Sequence, residues 1–323
     1  MRELPLVSLI IPCYNHTAFL DDCLQSVMRQ DYSNLEIFIC DDCSSDGSYE
    51  HLLSYETSLR ERFWKVSICK NERNLGVTKN LNQMIQQARG TYIKMIAGDD
   101  YLADNAISSF VAFMQTHEDT DIVFSNGYVV NEKQHIGDVG EKKIYSTALD
   151  LDLTSLPERV FRCNELSAPC AFLRKSVFDR FGLYDENYAI EDLEYWLRLM
   201  RSGVCRFNFL DQLLVYYRRN ENSITSLAVN DKTDGRMLRF YTAELGILEA
   251  YRDLVNEELF AEAILWRLLS IYCFSANNHL LKTRAFAEEK LKTSPLWRKL
   301  KPASKGKYMF IYLKQNLKQM CFK

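Results

Sequence analysis

Residues 7–15 read Val-Ser-Leu-Ile-Ile-Pro-Cys-Tyr-Asn, and residues 35–47 read Leu-Glu-Ile-Phe-Ile-Cys-Asp-Asp-Cys-Ser-Ser-Asp-Gly. Each segment is a short apolar run with β-branched residues that ends in turn-forming or acidic residues, which is the pattern of a buried strand followed by a loop. Between them, residues 19–29 place apolar side chains at helical spacing. This strand, helix, strand order predicts a parallel sheet covered by helices.

The same alternation continues outward from these two segments. We predict further strands at 66–69, 91–96 and 122–125, and helices at 78–89 and 103–117. Gly90 follows the helix at 78–89, where a helix C-terminus favours a residue in the left-handed conformation. The fold class predicted is therefore α/β, with a mainly parallel sheet and helices on both faces.

The second half of the chain is less regular. Residues 130–165 are polar and weakly periodic, and we interpret them as loops and short strands around a cleft. A helix at 193–200 and a strand at 213–217 follow, and the chain reads as helical from about residue 231. We predict one α/β domain over residues 1–228 and a helical C-terminal extension with a basic tail over residues 229–323.

Composition limits the class of protein. The 323 residues are 47% hydrophobic and 26% charged, as in a globular chain, and the net charge of −3 argues against a protein that coats nucleic acid. Basic residues concentrate near the end, where residues 282–323 hold twelve Lys or Arg against two acids. Scattered cysteines and the absence of a signal-peptide pattern predict a cytoplasmic protein with reduced thiols.

Polar residues follow three of the predicted strands, where open α/β sheets bind ligands. They are Pro12-Cys13-Tyr14-Asn15, the acidic and serine-rich residues 41–47, and Gly98-Asp99-Asp100. Each alone is explained as a turn or helix cap, but three such ends at one sheet edge indicate a cation or ligand, because clustered carboxylates repel each other. No glycine-rich dinucleotide or Walker-type loop is present, so a diphosphate held there needs a hard metal ion such as Mg²⁺ or Mn²⁺.

These segments, with Asn74-Leu75-Gly76-Val77 and Gly90-Thr91-Tyr92-Ile93, resemble in order and spacing the inverting family 2 glycosyltransferases of the GT-A fold, over roughly residues 4–225. The resemblance implies that Asp42, at a solvent-facing strand end, accepts a hydrogen bond from the donor nucleobase. A carboxylate can receive the N3–H of uracil or thymine, so the donor implied is a UDP- or dTDP-sugar, with UDP favoured. The nucleotide-binding residues implied are Pro12, Tyr14, Asn15, Asp41, Asp42, Asn74, Gly76 and Gly98.

The resemblance also implies that Asp99 and Asp100 bind Mn²⁺ or Mg²⁺. Two positions depart from the family pattern: Ala97 stands where the family has the first acid of its metal motif, and Asn220 stands where a histidine is frequent. Metal binding therefore rests chiefly on Asp99.

The acceptor side is implied by the segment at residues 189–198, which resembles the catalytic Glu-Asp segment of the family and assigns Asp192 as general base, with Glu191 beside it. The alternative is structural, because acids favour a helix N-terminus and Glu194 with Arg198 forms an ordinary i,i+4 pair. Four aromatic residues nearby either stack on a sugar or pack in the core: Tyr184, Tyr188, Tyr195 and Trp196.

Apolar and basic residues are interleaved at 293–323, as in a solvated helical face or in a segment that docks on an anionic membrane. Enzymes that resemble this chain build cell-surface polysaccharide, such as O-antigen or capsule, on lipid-linked acceptors. The resemblance implies sugar transfer from a nucleotide-sugar donor to such a glycan at the inner face of the plasma membrane, with no nucleic acid partner. The alternative function is a non-catalytic protein that retains the fold and binds nucleotide-sugars or acts as a scaffold.

Overall fold

The computed structural model describes residues 4–188, 190–220, 231–277 and 279–299. The described residues form two compact units. The first holds the chain up to Leu153 and from Leu166 to Asn220, and the second holds Thr154–Glu165 and the chain from Asp231 onward. Residue 228 lies outside the described residues, so the predicted boundary there stays a prediction. The second unit additionally contains Thr154–Glu165, which the sequence analysis assigned to the first domain.

The first four long strands of the first unit are parallel neighbours. They are β1 (Val7–Cys13), β2 (Leu35–Asp41), β3 (Lys65–Lys70) and β4 (Tyr92–Met95), in the order β3-β2-β1-β4. Their connections carry the helices α1 (Leu20–Met28), α2 (Ser48–Ser54), α3 (Glu56–Arg62) and α4 (Val77–Gln87). Cys13 pairs with Asp41 and Asp41 with Lys70, so the carboxyl ends of β1, β2 and β3 are level. Residues that follow these strands therefore meet at one edge of the sheet.

The sheet continues from β4 in the order β8-β6-β9-β5. These strands are β5 (Tyr101–Leu102), β6 (Ile122–Asn131), β8 (Ala171–Arg174) and β9 (Phe207–Arg219), and β7 (Lys142–Lys143) pairs with β6. Strand β8 is antiparallel to both β4 and β6, whereas β6 and β9 are parallel. The associated helices are α5 (Ala106–Thr116), α7 (Ser176–Phe181) and α8 (Glu191–Ser202). The parallel pairing predicted for the first 125 residues is thus confirmed for β1 to β4, and the added strands make the sheet mixed.

Lys94 in the middle of β4 marks the junction with β8. Its side chain is fully buried, and its Nζ donates hydrogen bonds to the carbonyl oxygens of Pro169 and Ala171 and lies over the ring of Phe110. Burial lowers the pKa of Lys94 to about 8. A buried amine is costly unless its donors are satisfied, so Lys94 fixes the start of β8 against β4.

Two local expectations were wrong. Gly90 does not have a left-handed backbone, and the residue that caps α4 is Ala88, in extended conformation. A side chain at position 90 would instead meet β1, since an added Cβ would lie 2.6 Å from the backbone nitrogen of Ser8. Residues 130–165 also contain a helix, α6 (Leu156–Arg162), where we expected only loops and short strands.

The second unit is helical. In addition to α6, it contains α9 (Asp231–Ala250), α10 (Glu257–Asn277), α11 (Leu281–Thr293) and α12 (Pro295–Lys299). Leu265, Leu268, Leu269 and Leu291 form a buried cluster against which Leu296 and Trp297 pack. Among the described residues one helix segment, Glu257–Ala276, has the length and mean hydropathy (1.4) to cross a membrane, but 56% of that window is buried in the protein, as in a core helix.

Candidate active site

The loops after β1 and β2 are locked to each other by hydrogen bonds. Asn15 has a positive φ of 55°, its backbone N–H donates to Ser44 Oγ (2.8 Å), and its Oδ1 accepts from the Ser45 N–H (3.0 Å). Asp46 accepts from the Thr17 N–H and from the backbone and hydroxyl of Ser48. Burial alone would raise the pKa of Asp46, but these hydrogen bonds outweigh it and lower the pKa below its ordinary value. The two loops therefore behave as one rigid rim.

Tyr14 and Pro12 lie at this rim in different ways. Tyr14 is exposed, with 47% of its surface accessible, so its ring is available to a ligand at the sheet edge. Pro12 acts through its backbone, since its carbonyl oxygen accepts a hydrogen bond from the Gly98 N–H (3.1 Å). Gly98 has little room for a side chain, because an added Cβ would lie 3.0 Å from Nδ1 of His16. The ends of β1 and β4 thus approach each other closely.

Asp42 is buried rather than solvent-facing, with only 3% of its surface exposed. Its Oδ1 accepts from Asn71 Nδ2 and from the Leu75 N–H, and its Oδ2 accepts from the Gly76 N–H, each at 2.8 Å. Asn74 supports the same turn by accepting from Gly76 N–H with its own Oδ1 (3.1 Å). The expectation of a solvent-facing strand end is therefore corrected. In the protein itself, Asp42 holds the turn at residues 74–76 that begins α4.

The acids beside Asp42 and Asp99 are also buried. Asp41 accepts from the Ser44 N–H with Oδ2, and Asp100 accepts from the Arg218 N–H with Oδ1 (2.7 Å). The second oxygen of each carboxyl is buried without a hydrogen-bond partner in the described structure. Burial, together with the charge of Asp99, raises the pKa of Asp100 well above its ordinary value. Both side chains thus lie beneath the sheet edge.

Asp99 is also buried, with 7% of its surface exposed. Its Oδ2 accepts a hydrogen bond from Nδ2 of Asn220 (2.7 Å), and its Oδ1 lies 3.7 Å from Nε2 of His16. No group of three or more His, Cys, Asp or Glu side chains suited to a metal ion occurs in the part of the chain that the structure describes. Mg²⁺ and Mn²⁺ keep several waters and use only one or two carboxylates together with substrate phosphates. A single oxygen ligand at a polar strand end, beside the unpartnered buried oxygen of Asp100, fits such an ion.

Arg218, which we did not single out from the sequence, holds this end of the sheet together. It is fully buried, its Nε donates to the Asp99 carbonyl oxygen (2.8 Å), and its Nη2 donates to Asp22 Oδ2 (2.8 Å). Its Nη1 donates to the carbonyl oxygens of Asn131 and Gln134, which tie the turn after β6 to the same point. The strand predicted from the sequence ended at residue 217, directly before Arg218, whereas β9 continues to Arg219. The available signal was an arginine that directly follows an apolar strand-like run.

Glu191 and Asp192 begin α8, which starts two residues before the helix predicted at 193–200 and so includes the acidic pair. Both are half-buried, and Asp192 Oδ1 accepts a hydrogen bond from the Leu193 N–H (2.6 Å). Burial and the neighbouring charge of Asp192 raise the pKa of Glu191 to about 8. At neutral pH this environment favours the protonated form of Glu191. Glu194 and Arg198 form the expected pair at 2.5 Å, with the glutamate buried.

The aromatic residues near α8 are mainly core. Tyr184, Tyr195 and Trp196 are each at most 4% exposed, so the structure excludes them as an open surface for stacking on a sugar. Only Tyr188 is half-buried and stays a candidate for contact with a ligand. The rings instead pack against each other, with Tyr184 and Tyr195 centroids 4.8 Å apart.

Comparison with known proteins gives relatives that include glycosyltransferases. The chain is 26% identical to the uncharacterized glycosyltransferase EpsJ of Bacillus subtilis over 77% of its length and 71% of that protein. It is also 26% identical to the UDP-Glc:alpha-D-GlcNAc-diphosphoundecaprenol beta-1,3-glucosyltransferase WfaP of Escherichia coli, over 68% of this chain and 80% of that protein.

Solved structures give the same fold. A structure of residues 1–349 of TarS of S. aureus, in complex with UDP-GlcNAc, superposes with a TM-score of 0.57 at 17% identity, covering 89% of this chain and 91% of that one. The mannosyltransferase PcManGT of Pyrobaculum calidifontis, in complex with GDP-Man and Mn²⁺, gives 0.56 at 16% identity over 97% and 86%. The fold is therefore that of GT-A glycosyltransferases, as the sequence predicted.

The sequence model of glycosyl transferase family 2 matches residues 8–182, more than half of the chain and the whole of the sheet edge formed by β1 to β4. With strand ends, loops and acids arranged as above, the chain belongs to glycosyl transferase family 2.

Proposed function

We propose that the protein transfers a sugar from a nucleoside diphosphate sugar, with a UDP-sugar favoured, to a hydroxyl of a glycan acceptor with inversion. The observation that carries this proposal is the convergence of three strand ends at one sheet edge: the rim at Tyr14 and Asn15, the turn held by Asp42, and the carboxylate of Asp99. The names of WfaP and of the TarS complex, which contain UDP-Glc and UDP-GlcNAc, support a uracil nucleotide.

The nucleotide would lie along this edge. Tyr14 offers an exposed ring to a base, and Asp42 uses three of the roughly four acceptor positions of a carboxylate, which leaves one for the base N3–H. Asn15, Asn74, Gly76 and Gly98 shape the surrounding loops, whereas Asp41 supports them from beneath. We assign the base end to the Asp42 turn and the diphosphate end to Asp99.

A divalent metal would be held by Asp99, and Asp100 would contribute from below. The Mn²⁺ bound together with GDP-Man in PcManGT supports this cofactor. When bound, such an ion offsets the negative charge of the leaving diphosphate. Two residues of this chain position the Asp99 carboxylate that would hold the ion. Arg218 fixes the backbone of Asp99, and Asn220 orients the carboxylate by donating to one oxygen.

The proton of the acceptor would be taken by Asp192. The acceptor oxygen forms a bond to the anomeric carbon on the face opposite the diphosphate, the bond from that carbon to the diphosphate oxygen breaks, and the acceptor proton passes to the Asp192 carboxylate. Attack from the opposite face inverts the configuration at the anomeric carbon. Burial raises the pKa of the neighbouring Glu191 to about 8, which favours its protonated form and supports Asp192 as the proposed base.

Replacement of Asp192 by asparagine tests this role. The amide keeps the shape and can still accept from the Leu193 N–H, so we expect the folded state and donor binding to be retained, but transfer to fall about 10²-fold or more, the order that a positioned base contributes. Transfer is measured with a radiolabelled UDP-sugar, and donor binding by thermal shift with UDP, dTDP, GDP and CMP, with and without Mn²⁺.

Each outcome of this experiment has a meaning. Full transfer by Asp192→Asn with loss of transfer by Glu191→Gln would move the base to Glu191. A wild-type protein that binds UDP but neither transfers nor hydrolyses any UDP-sugar would support the non-catalytic alternative. Stabilisation by GDP rather than UDP would change the base of the donor and leave the proposed reaction unchanged, whereas stabilisation by CMP alone would indicate a nucleoside monophosphate donor and contradict a diphosphate leaving group.

The acceptor is proposed to be a lipid-linked glycan of a cell-surface polysaccharide at the inner face of the plasma membrane. The name of WfaP, with its diphosphoundecaprenol acceptor, supports this class. The second support is charge, because residues 282–323 hold twelve basic residues against two acids and anionic lipids attract such segments. Residues 300–323 of this segment lie outside the described residues.

A further inference from the structure

One face of α4 is polar although it is buried. Thr78 and Asn82 lie one turn apart on this face and are 5% and 3% exposed, and Leu81, Met84 and Ile85 of the same helix pack in the core. Buried polar side chains persist where they have specific partners, so the partners of Thr78 and Asn82 define what this face does.

Those partners belong to the segment that precedes α8. Thr78 Oγ1 donates to the Tyr188 carbonyl oxygen (3.0 Å). Asn82 Nδ2 donates to the Tyr184 carbonyl oxygen (2.9 Å), and Asn82 Oδ1 accepts from the Tyr184 N–H (3.1 Å). A further hydrogen bond joins Asn82 Nδ2 to Glu186 Oε1 (3.2 Å). One helix face thus fixes residues 184–188 through four hydrogen bonds, three of them to the backbone.

The same segment is bound from its other side by α8. Arg198 Nη1 donates to the carbonyl oxygens of Phe181 (2.9 Å) and Leu183 (2.8 Å), and the Tyr195 hydroxyl donates to the Gly182 carbonyl oxygen (3.1 Å). The Tyr184 ring packs on Tyr195. Residues 181–188 are therefore clamped between α4 and the helix that begins with Glu191 and Asp192.

The N-terminal end of α4, where Thr78 lies, is attached to the donor edge. Asp42 accepts from the N–H groups of Leu75 and Gly76, and Gly76 is the residue directly before α4. A helix moves as a rigid rod over its length, so the Asp42 turn and the clamp at Thr78 and Asn82 keep a fixed spacing.

We infer that Thr78 and Asn82 are positioning residues for Asp192, and that α4 sets the general base relative to the bound donor. This inference rests on the proposed role of Asp192. Loss of a clamp hydrogen bond would leave donor binding intact and displace the base from the acceptor hydroxyl, so it acts on kcat and not on the donor KM. A displacement of about 1 Å in such a group can reduce the rate by about 10²-fold.

Thr78→Val removes the hydroxyl at nearly constant shape, and Thr78→Ser restores it. We expect Thr78→Val to lower kcat about 10-fold with the UDP-sugar KM within about twofold of wild type, and Thr78→Ser to recover most of the rate. Asn82→Ala, which removes three backbone and side-chain contacts, should lower kcat further. Gln86→Ala on the exposed face of α4 is the control, with no change expected.

The transfer rate of the double variant Thr78→Val/Asp192→Asn distinguishes an effect of Thr78 through Asp192 from a purely structural effect. If Thr78 acts through Asp192, the double variant transfers no more slowly than Asp192→Asn alone, whereas independent effects multiply. The inference would be overturned if the effects of the two substitutions multiply or if Thr78→Val transfers at the wild-type rate. It would also be overturned if Thr78→Val loses UDP affinity as much as rate, or if Thr78→Ser does not restore the rate. Full activity of Asp192→Asn would overturn the proposed function instead, and if Asn82→Ala does not fold, the Thr78 series decides alone.

Discussion

Glu191 is the residue whose environment departs most from that of an ordinary surface acid at the start of a helix. Its pKa is raised to about 8 by burial and by Asp192, so the folded protein binds a proton there that the unfolded chain has already released. Between the ordinary pKa of 4.5 and about 8, the folded state therefore holds more protons than the unfolded state. The contribution of Glu191 to stability is present below this window and is lost as the pH rises through it.

Glu191→Gln should remove this loss, because the amide stays neutral at every pH. We expect the wild type to lose stability relative to Glu191→Gln between pH 6 and pH 9, measured by urea unfolding of both proteins at the two pH values. Gln86→Ala on the exposed face of α4 serves as the control and should show no such divergence, because it changes no titratable group. Parallel pH profiles for wild type and Glu191→Gln would mean that Glu191 is ionised at neutral pH.

Single residues also show which features of the site can be predicted from the sequence and which cannot. The acids after β2 and β4 were identified because acids at the ends of parallel strands meet at one edge. The resemblance assigned Asp42 and Asp99 of these pairs to the ligand, but the surroundings of each acid were not predictable, since they depend on strand register and on donors far along the chain. Asp42 is enclosed by the turn at 74–76, and Asp100 is enclosed by the backbone of Arg218, 118 residues later in the chain.

Among the elements, the segment that leads into β4 lies close against β1 at Gly90. A Cβ there would lie 2.5 Å from Ser8 Oγ and 2.7 Å from the Tyr92 carbonyl oxygen, closer than van der Waals contact allows. The Gly90 N–H also donates to Ser8 Oγ and to Glu36 Oε1, so a shift of the backbone would break hydrogen bonds to a buried carboxylate. Gly90→Ala should destabilise the protein by about 3 kcal/mol.

Gly246 offers the opposite case within the same chain. It lies inside α9, has an exposed position, and an added Cβ would meet no atom within 4 Å. Gly246→Ala should therefore stabilise by about 0.5–1 kcal/mol, because alanine favours the helix. Chemical denaturation of the two variants checks both signs. Equal effects of the two substitutions would show that contact with β1 is not what requires Gly90.

Regular elements were predictable from the period of the apolar residues, as for β1, α1 and α4. Helix α6 was missed because seven residues give too little periodicity in a polar stretch. The aromatic residues of α8 were ambiguous for a related reason, since a ring that packs on another ring and a ring that stacks on a sugar have the same sequence signal. Only the packing partners distinguish them.

At the scale of the whole molecule, the two units carry different charge, and the basic excess lies at the end of the second. Residues 300–323 contain six lysines and no acid. A chain that ends at Lys299 keeps Leu296 and Trp297 in their apolar cluster, which a cut after Lys292 would remove. We expect the chain ending at Lys299 to bind anionic vesicles more weakly and to transfer normally to a soluble acceptor analogue.

The measurement is vesicle cosedimentation at low and high salt, with neutral vesicles and a 323-residue variant bearing glutamine at the six lysines as controls. Binding by the 323-residue protein should fall as salt rises, because screening weakens the attraction of exposed charges for the lipid surface. Binding that persists at high salt, or that the shortened chain retains, would contradict a dock driven by charge.

The place of β8 between β4 and β6 has a consequence for the protein as it is made. The strands β1 to β4 are complete once residue 95 is synthesised, but the strand that covers the open side of β4 begins at Ala171, about 4 to 15 s later at about 5–20 residues per second. During that interval the growing chain exposes an unpaired edge that could join a neighbouring nascent chain. Lys94 lies in the middle of that edge, charged while water reaches it, and discourages such pairing. Once Pro169 and Ala171 have been synthesised, their carbonyl oxygens accept hydrogen bonds from the Lys94 amine. The same side chain that disfavours pairing of the free edge then joins β4 to β8.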